Sequence, residues 1–146
     1  MSVFLLDVNV LVALVWPAHQ AHGAVQQWFE RNSQHAWATC PFTQAGFVRV
    51  LSNPVFSRDA VAPQEAVRVL DANLKHRFHR FWPDGISYAE AVEALGKGIG
   101  GHRQVTDAYL LGLAIHHRSK LATMDRTVRD LLPQDYPQAS SFELIS

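Results

Sequence analysis

Val3-Phe4-Leu5-Leu6-Asp7-Val8-Asn9-Val10-Leu11 is the stretch on which the architecture turns. Its first four residues are apolar without alternation, the pattern of a strand buried on both faces in a parallel sheet. Asp7 interrupts the run, and residues 8–15 then read as a short helix that Pro17 ends. An acid between such a strand and such a helix stands at the C-terminal edge of the sheet. Open α/β folds bind their ligands there.

The same construction recurs near the other end of the chain. Leu121-Ala122-Thr123-Met124 leads into Asp125, and Asp107 opens the apolar helical run 108–115 that precedes this strand. A helix returning antiparallel to its following strand places its N-terminus at the edge where that strand finishes. Asp107 and Asp125 are therefore expected as neighbours, with Asp7 beside them on a second central strand. Each aspartate alone is explained by capping, because a carboxylate at a helix N-terminus accepts backbone N–H bonds and favours the helix dipole. Three together are different. Like charges about 4 Å apart repel by about 4 kcal/mol at an effective dielectric of about 20, so the cluster calls for a cation or shared protons.

Carboxylate oxygens are hard ligands that suit Mg²⁺ or Mn²⁺ better than zinc. Such an ion orients a phosphodiester, activates water and stabilises charge on a leaving oxygen. Asn9, Thr106 and Thr123 are small polar residues beside the acids and can orient ligands or a bound water, with ordinary capping as their alternative.

The remaining elements alternate between strand and helix. Ala21, Ala24, Val25, Trp28 and Phe29 have amphipathic helical spacing. Ala36-Trp37-Ala38-Thr39 reads as a strand, followed by a helix with Pro41 in its first position, Gln44, Phe47, Val48 and Leu51 on one face, and Pro54 as its close. Pro63 opens a helix that turns Ala66, Val67, Leu70 and Leu74 inward, and residues 79–82 give a third strand. Ser87-Tyr88-Ala89-Glu90 has capping-box spacing. The glycine-rich stretch 96–101 is a loop without Walker spacing, and the mostly apolar helix 103–117 contains Gly112, which suggests close helix–sheet approach. Residues 142–145 complete a single α/β domain over 1–146 with a mostly parallel central sheet.

With 146 residues, 48% of them hydrophobic and 18% charged, the chain is long enough for one core and has ordinary soluble composition. A net charge of zero gives no global pull toward nucleic acid, so any basic surface must be local. Arg49, Lys97, Arg103 and Arg126 border the acidic edge and are the phosphate-contact candidates. The basic and aromatic run 75–82 is read instead as a helix end entering a strand, with charges solvated and aromatics in the core. Cys40 is the single cysteine, so neither an internal disulfide nor a Cys-rich zinc site can form, and a reducing cytosolic setting is expected. Asp7 and Asn9 interrupt the first apolar run and no positive segment precedes it, so neither a signal peptide nor a membrane span is expected. The pairs His19 and His22, His76 and His79, and His116-His117 lack the His-Glu-x-x-His arrangement and are read as packed or solvated side chains. Trp16, Trp28 and Trp37 are read as core or interface residues.

The chain resembles the PIN-domain ribonucleases of the VapC toxin type. The resemblance rests on Leu5-Leu6-Asp7-Val8-Asn9-Val10-Leu11, Cys40-Pro41-Phe42-Thr43-Gln44, Phe47-Val48-Arg49-Val50-Leu51-Ser52-Asn53-Pro54, Val105-Thr106-Asp107-Ala108-Tyr109-Leu110 and Leu121-Ala122-Thr123-Met124-Asp125, in that order. It implies a three-layer α/β/α PIN-like fold and a cytoplasmic, Mg²⁺- or Mn²⁺-dependent endoribonuclease, the toxin of a type II toxin–antitoxin pair. It further implies an RNA substrate cut to 5′-phosphate and 3′-hydroxyl ends, a VapB-like antitoxin partner and a homodimer. Asp7, Asp107 and Asp125 match the family's metal-binding acids, and Asn9 and Thr106 match the polar residues that support them.

One position departs from the pattern. The family usually has glutamate where this chain has Gln44, and an amide brings no charge and cannot act as a base. Weakened metal binding and reduced or conditional activity are the expectation. Two other readings stand beside the enzyme. A PIN-like module that has lost catalysis would bind RNA or protein without cleavage. A haloacid-dehalogenase-like phosphatase is suggested by Asp7-Val8-Asn9-Val10, but Asn9 replaces the second aspartate it requires.

Overall fold

The computed structural model describes residues 3–56, 58–135 and 140–146. Strands β1 (Phe4–Leu6), β2 (Trp37–Thr39), β3 (His79–Phe81), β4 (Lys120–Thr123) and β5 (Phe142–Leu144) form one sheet in the order β3-β2-β1-β4-β5. All four pairings among the described residues are parallel. The order reverses at β1, which has β2 on one side and β4 on the other, so ligand-binding geometry is expected at its C-terminal end.

Among the described residues six α-helices cover the sheet: α1 (Val8–Val15), α2 (His22–Arg31), α3 (Pro41–Leu51), α4 (Pro63–Asn73), α5 (Tyr88–Glu93) and α6 (Val105–His116). The uninterrupted apolar reading of β1 has its cause here. Leu5 packs with α5 and α6 on one face, Phe4 and Leu6 pack with α1 to α4 on the other, and both leucines are fully buried. The result is the expected α/β/α layering.

Local chemistry sets the helix boundaries. Asp7 accepts from the Val8 N–H at the start of α1, Pro41 begins α3, and Ser87 with Glu90 forms the reciprocal capping box that opens α5. Several expectations are corrected. Val67 faces outward, 41% exposed, because Ala66 and Leu70 take the inner face of α4. Helix α6 starts at Val105 after a 3₁₀ turn at His102–Gln104, so Asp107 lies inside its first turn and is not its cap. Gly112 permits contact between helices instead of contact with the sheet. A Cβ there would stand 2.3 Å from the Ala91 carbonyl oxygen on α5. Trp82 and Ile145 are buried just beyond the third and fifth strands rather than inside them. No helix among the described residues is long and apolar enough to cross a membrane.

Candidate active site

Register brings the acids together. Leu6 is level with Ala122, and the Asp7 N–H donates to the Ala122 carbonyl at 2.9 Å, so Asp7 and Thr123 leave their strands side by side. Thr123 then ties the two acidic turns to each other. Its hydroxyl donates to Asp7 Oδ2 at 2.7 Å and accepts from the Asp125 N–H at 3.1 Å. Asp7 uses its other oxygen for the Val8 N–H at 2.8 Å. Asp125 Oδ1 accepts from both the backbone and the hydroxyl of Thr127, capping the 3₁₀ segment Arg126–Leu131. The first turn of α6 delivers Asp107 to the same place.

These side chains line a cleft of about 750 Å³, together with Asn9. The lining also includes the apolar Val12, Trp16, Val50 and Phe56, the last 66% exposed, and the polar His19, Gln20 and Asp59. Among the described residues that line it, none is Lys or Arg. The electrostatic consequence is large. Burial pushes Asp107 up to about 6, with the charges of Asp7 and Asp125 adding to the shift. Burial also raises Asp7 above the ordinary carboxylate value, against the lowering effect of its bonds from Thr123 and Val8, and Asp125 adds a smaller upward push. Acids whose ionised forms are destabilised by burial and by one another are sites for a cation.

The donor set fits a hard divalent ion. It is all oxygen, it is under-neutralised, and Asn9 Oδ1 is buried with no hydrogen-bond partner among the described residues. The carboxylates are not already closed around an ion position. As placed, no three His, Cys, Asp or Glu side chains among the described residues make a ligand group, and Asp7 and Asp125 each point an oxygen at a capping donor. Each such oxygen keeps a second lone pair for coordination.

Chain resemblance and chain geometry now meet in one comparison: the PIN domain profile matches residues 4–131. The chain belongs to the PIN-domain family. It is 45% identical over 130 residues to Ribonuclease VapC38 of Mycobacterium tuberculosis, covering 89% of this chain and 90% of that one. Ribonuclease VapC39 of the same organism is 40% identical over 126 residues, covering 86% and 91%, and Ribonuclease VapC29 is 43% identical over 121 residues, covering 83% and 84%. In fold, the chain is similar to a crystal structure of VapBC2 from Rickettsia felis bound to a DNA fragment from their promoter. The TM-score is 0.66 at 14% identity, with 99% of both chains covered.

Within this PIN domain the remaining candidates divide. Asp7, Asn9, Asp107 and Asp125 share the cleft, whereas Gln44 and Thr106 are not among its lining residues. Thr106 is exposed on α6. Gln44 sits one turn into α3 and gives its amide hydrogen to Thr39 Oγ1 at 3.0 Å. Arg49, Lys97, Arg103 and Arg126 are all exposed and outside the cleft lining. In the basic and aromatic run Trp82 is buried as expected, but Phe81 is 53% exposed. The histidine pairs have local partners. His19 accepts from the Ala21 N–H, His22 Nδ1 contacts the Ala13 carbonyl, and His117 stacks on Trp82 at 3.9 Å. Trp28 and Trp37 are buried, while Trp16 lies in the cleft wall.

Sequence reading undervalued Thr123, whose capping role and acid-bridging role are simultaneous. It missed Thr39 and the apolar part of the cleft lining altogether. A threonine at the end of an apolar strand was the available signal in both cases.

Proposed function

We propose that this chain is a metal-dependent endoribonuclease, the toxin of a type II toxin–antitoxin pair of the VapBC kind. The observation that supports it best is the convergence of Asp7, Asp107, Asp125 and Asn9 on one cleft whose lining, among the described residues, holds no Lys or Arg. The VapC ribonucleases among its relatives supply the reaction class, and membership of the PIN family displaces the phosphatase reading. The substrate is RNA. Asp7, Asp107 and Asp125 would hold Mg²⁺ or Mn²⁺, which when bound polarises the phosphodiester and makes water nucleophilic at neutral pH.

The chain's own residues do the positioning. Thr123 fixes the Asp7 carboxylate through its hydroxyl and the Asp125 backbone through its oxygen, so the two acids cannot drift apart. Asn9 offers an unpaired buried oxygen that can orient a water for attack. Asp107 is raised to about 6 by burial and by the charges of Asp7 and Asp125, so its ionised form is the one a bound cation would stabilise. Thr106 contributes at the rim and Gln44 at the β2 side. A VapB-like antitoxin would suppress cleavage by covering this cleft, and the active toxin would be a cytoplasmic homodimer.

Purified protein with mixed RNA and Mn²⁺, beside EDTA and Asp107→Asn controls, tests the reading. Chelator-sensitive cleavage that the substitution abolishes supports it, and equal cleavage by both proteins refutes it. RNA binding without cleavage at any Mn²⁺ concentration would instead establish the non-catalytic module, for which Gln44 is the supporting observation.

A further inference from the structure

Gln44 is the end of a chain of hydrogen bonds that leads away from the acids. Its amide nitrogen donates to Thr39 Oγ1 at 3.0 Å, and Thr39 Oγ1 pairs with His79 Nε2 at 2.7 Å. The three residues come from α3, β2 and β3, and Thr39 is fully buried. Register makes the meeting possible. Trp37 is level with His79, and Thr39 lies two residues further along β2, so all three side chains leave the same face of the sheet, the face that α3 covers. The His79 ring is held in place by Trp37, with centroids 4.8 Å apart.

Proton counting gives the chain a direction. An amide nitrogen can only donate, so Gln44 takes one lone pair of the Thr39 hydroxyl. Thr39 has a single proton, and His79 Nε2 receives it only if that nitrogen carries none. His79 also has a backbone partner in Leu74 that favours the protonated ring, as a carbonyl acceptor does, while burial favours the neutral ring. One arrangement uses the single Thr39 proton within this chain. Gln44 donates to Thr39, Thr39 donates to Nε2, and the neutral ring carries its own proton on Nδ1. Bonds aligned in this way polarise one another in the same sense.

We propose that Thr39 and His79 are positioning residues for Gln44, and that the residue at position 44 in turn sets which nitrogen of His79 carries the proton. The hydroxyl–imidazole pair anchors the amide nitrogen against β2 and leaves the carbonyl oxygen, the side chain's one acceptor, outside the chain of bonds. A glutamate at 44 has no proton to give when ionised. Thr39 then turns its proton to that carboxylate, and His79 must donate from Nε2. The inference rests on the ribonuclease reading for its metal-site consequence, whereas the proton arrangement is a property of the metal-free protein.

Long-range ¹⁵N–¹H NMR of the metal-free chain, with His79 assigned from the His79→Gln spectrum, reads the arrangement directly. The parent should carry its proton on Nδ1, and Gln44→Glu should move a proton to Nε2. A proton on Nε2 in the parent, or an unchanged ring in Gln44→Glu, overturns the proposal. Mn²⁺ binding supplies the second readout. His79→Leu should weaken it by about threefold to tenfold, the scale of one lost hydrogen bond, and His79→Gln should restore it because a side-chain oxygen can accept the Thr39 proton. Equal affinity for the Leu and Gln variants also overturns it. Should His79→Leu fail to fold, the Gln44→Glu spectrum still decides. Should the parent cleave no RNA while the ring switches as stated, the ribonuclease reading fails and the hydrogen-bond chain stands.

Discussion

Between β1 and β4, the C-terminal edge of the sheet presents Asp7 and Asp125, with Asp107 brought over them by α6. Between β2 and β3 lie Thr39 at the C-terminal end of β2, Gln44 in the first turns of α3 and His79 at the start of β3, which carry no formal charge while the imidazole is neutral. Both groups are polar and largely withdrawn from water, yet they are stabilised differently. The neutral group pairs within itself, Gln44 Nε2 with Thr39 Oγ1 and Thr39 Oγ1 with His79 Nε2. The acidic group does not, since Asp107 is displaced to about 6 and Asn9 keeps an unpaired buried oxygen. A buried polar network that closes on itself rigidifies the fold, whereas one left open is a place for a ligand. The difference teaches where on this sheet an ion is needed.

Removing charge from the open half should have the largest effect. Asp107→Asn is expected to lower Mn²⁺-dependent RNA cleavage by at least about 100-fold, the scale of a several-kcal/mol loss of charge stabilisation, measured as initial rates on a labelled RNA. Breaking the bridge while keeping the acids should cost less. Thr123→Val removes the hydroxyl that Asp7 accepts from, and Mn²⁺ affinity by calorimetry should fall about 10-fold, within the range for outer partners of metal ligands.

Adding charge to the closed half runs the comparison the other way. Gln44→Glu should tighten Mn²⁺ binding and raise the cleavage rate, each by a few-fold to about 10-fold, about 1.4 kcal/mol. Unchanged affinity and rate would show that the two halves are electrostatically separate. The smallest effect concerns stability. Folded-state values for Asp7 and Asp107 lie above the ordinary 3.8, so between about pH 4 and about pH 6 the folded chain binds more protons than the unfolded chain. Stability of the metal-free protein should therefore decline as pH rises through that window, followed by urea midpoints. Asp107→Asn should flatten the decline.

How legible these halves were in the sequence differs for a physical reason. The acidic half is marked locally, because each aspartate ends an apolar strand or enters a helix and strand order does the rest. Asp107 was misplaced only by its position within the first turn, since the start of α6 lies in a 3₁₀ turn that carries no side-chain cap signal. The neutral half left almost no mark. Thr39 and His79 are 40 residues apart and meet through a one-in-two register that sequence periodicity cannot specify. Val67 shows the same limit on a helix, where an apolar residue fits the stripe and still faces water. Gly112 was correctly singled out for close packing, but its partner proved to be the Ala91 backbone on α5 rather than the sheet.

The sequence by itself determined the layered α/β class, the parallel strands and the gathering of Asp7, Asp107 and Asp125, because strand burial, helix entry and charge are written in adjacent residues. Only the tertiary structure decided that Thr123 joins Asp7 to Asp125 and that Gln44 is anchored by Thr39 and His79. Hydrogen bonds of that kind depend on the register of strands and the seating of α3 to within an ångström, which is a property of packing and not of neighbouring letters.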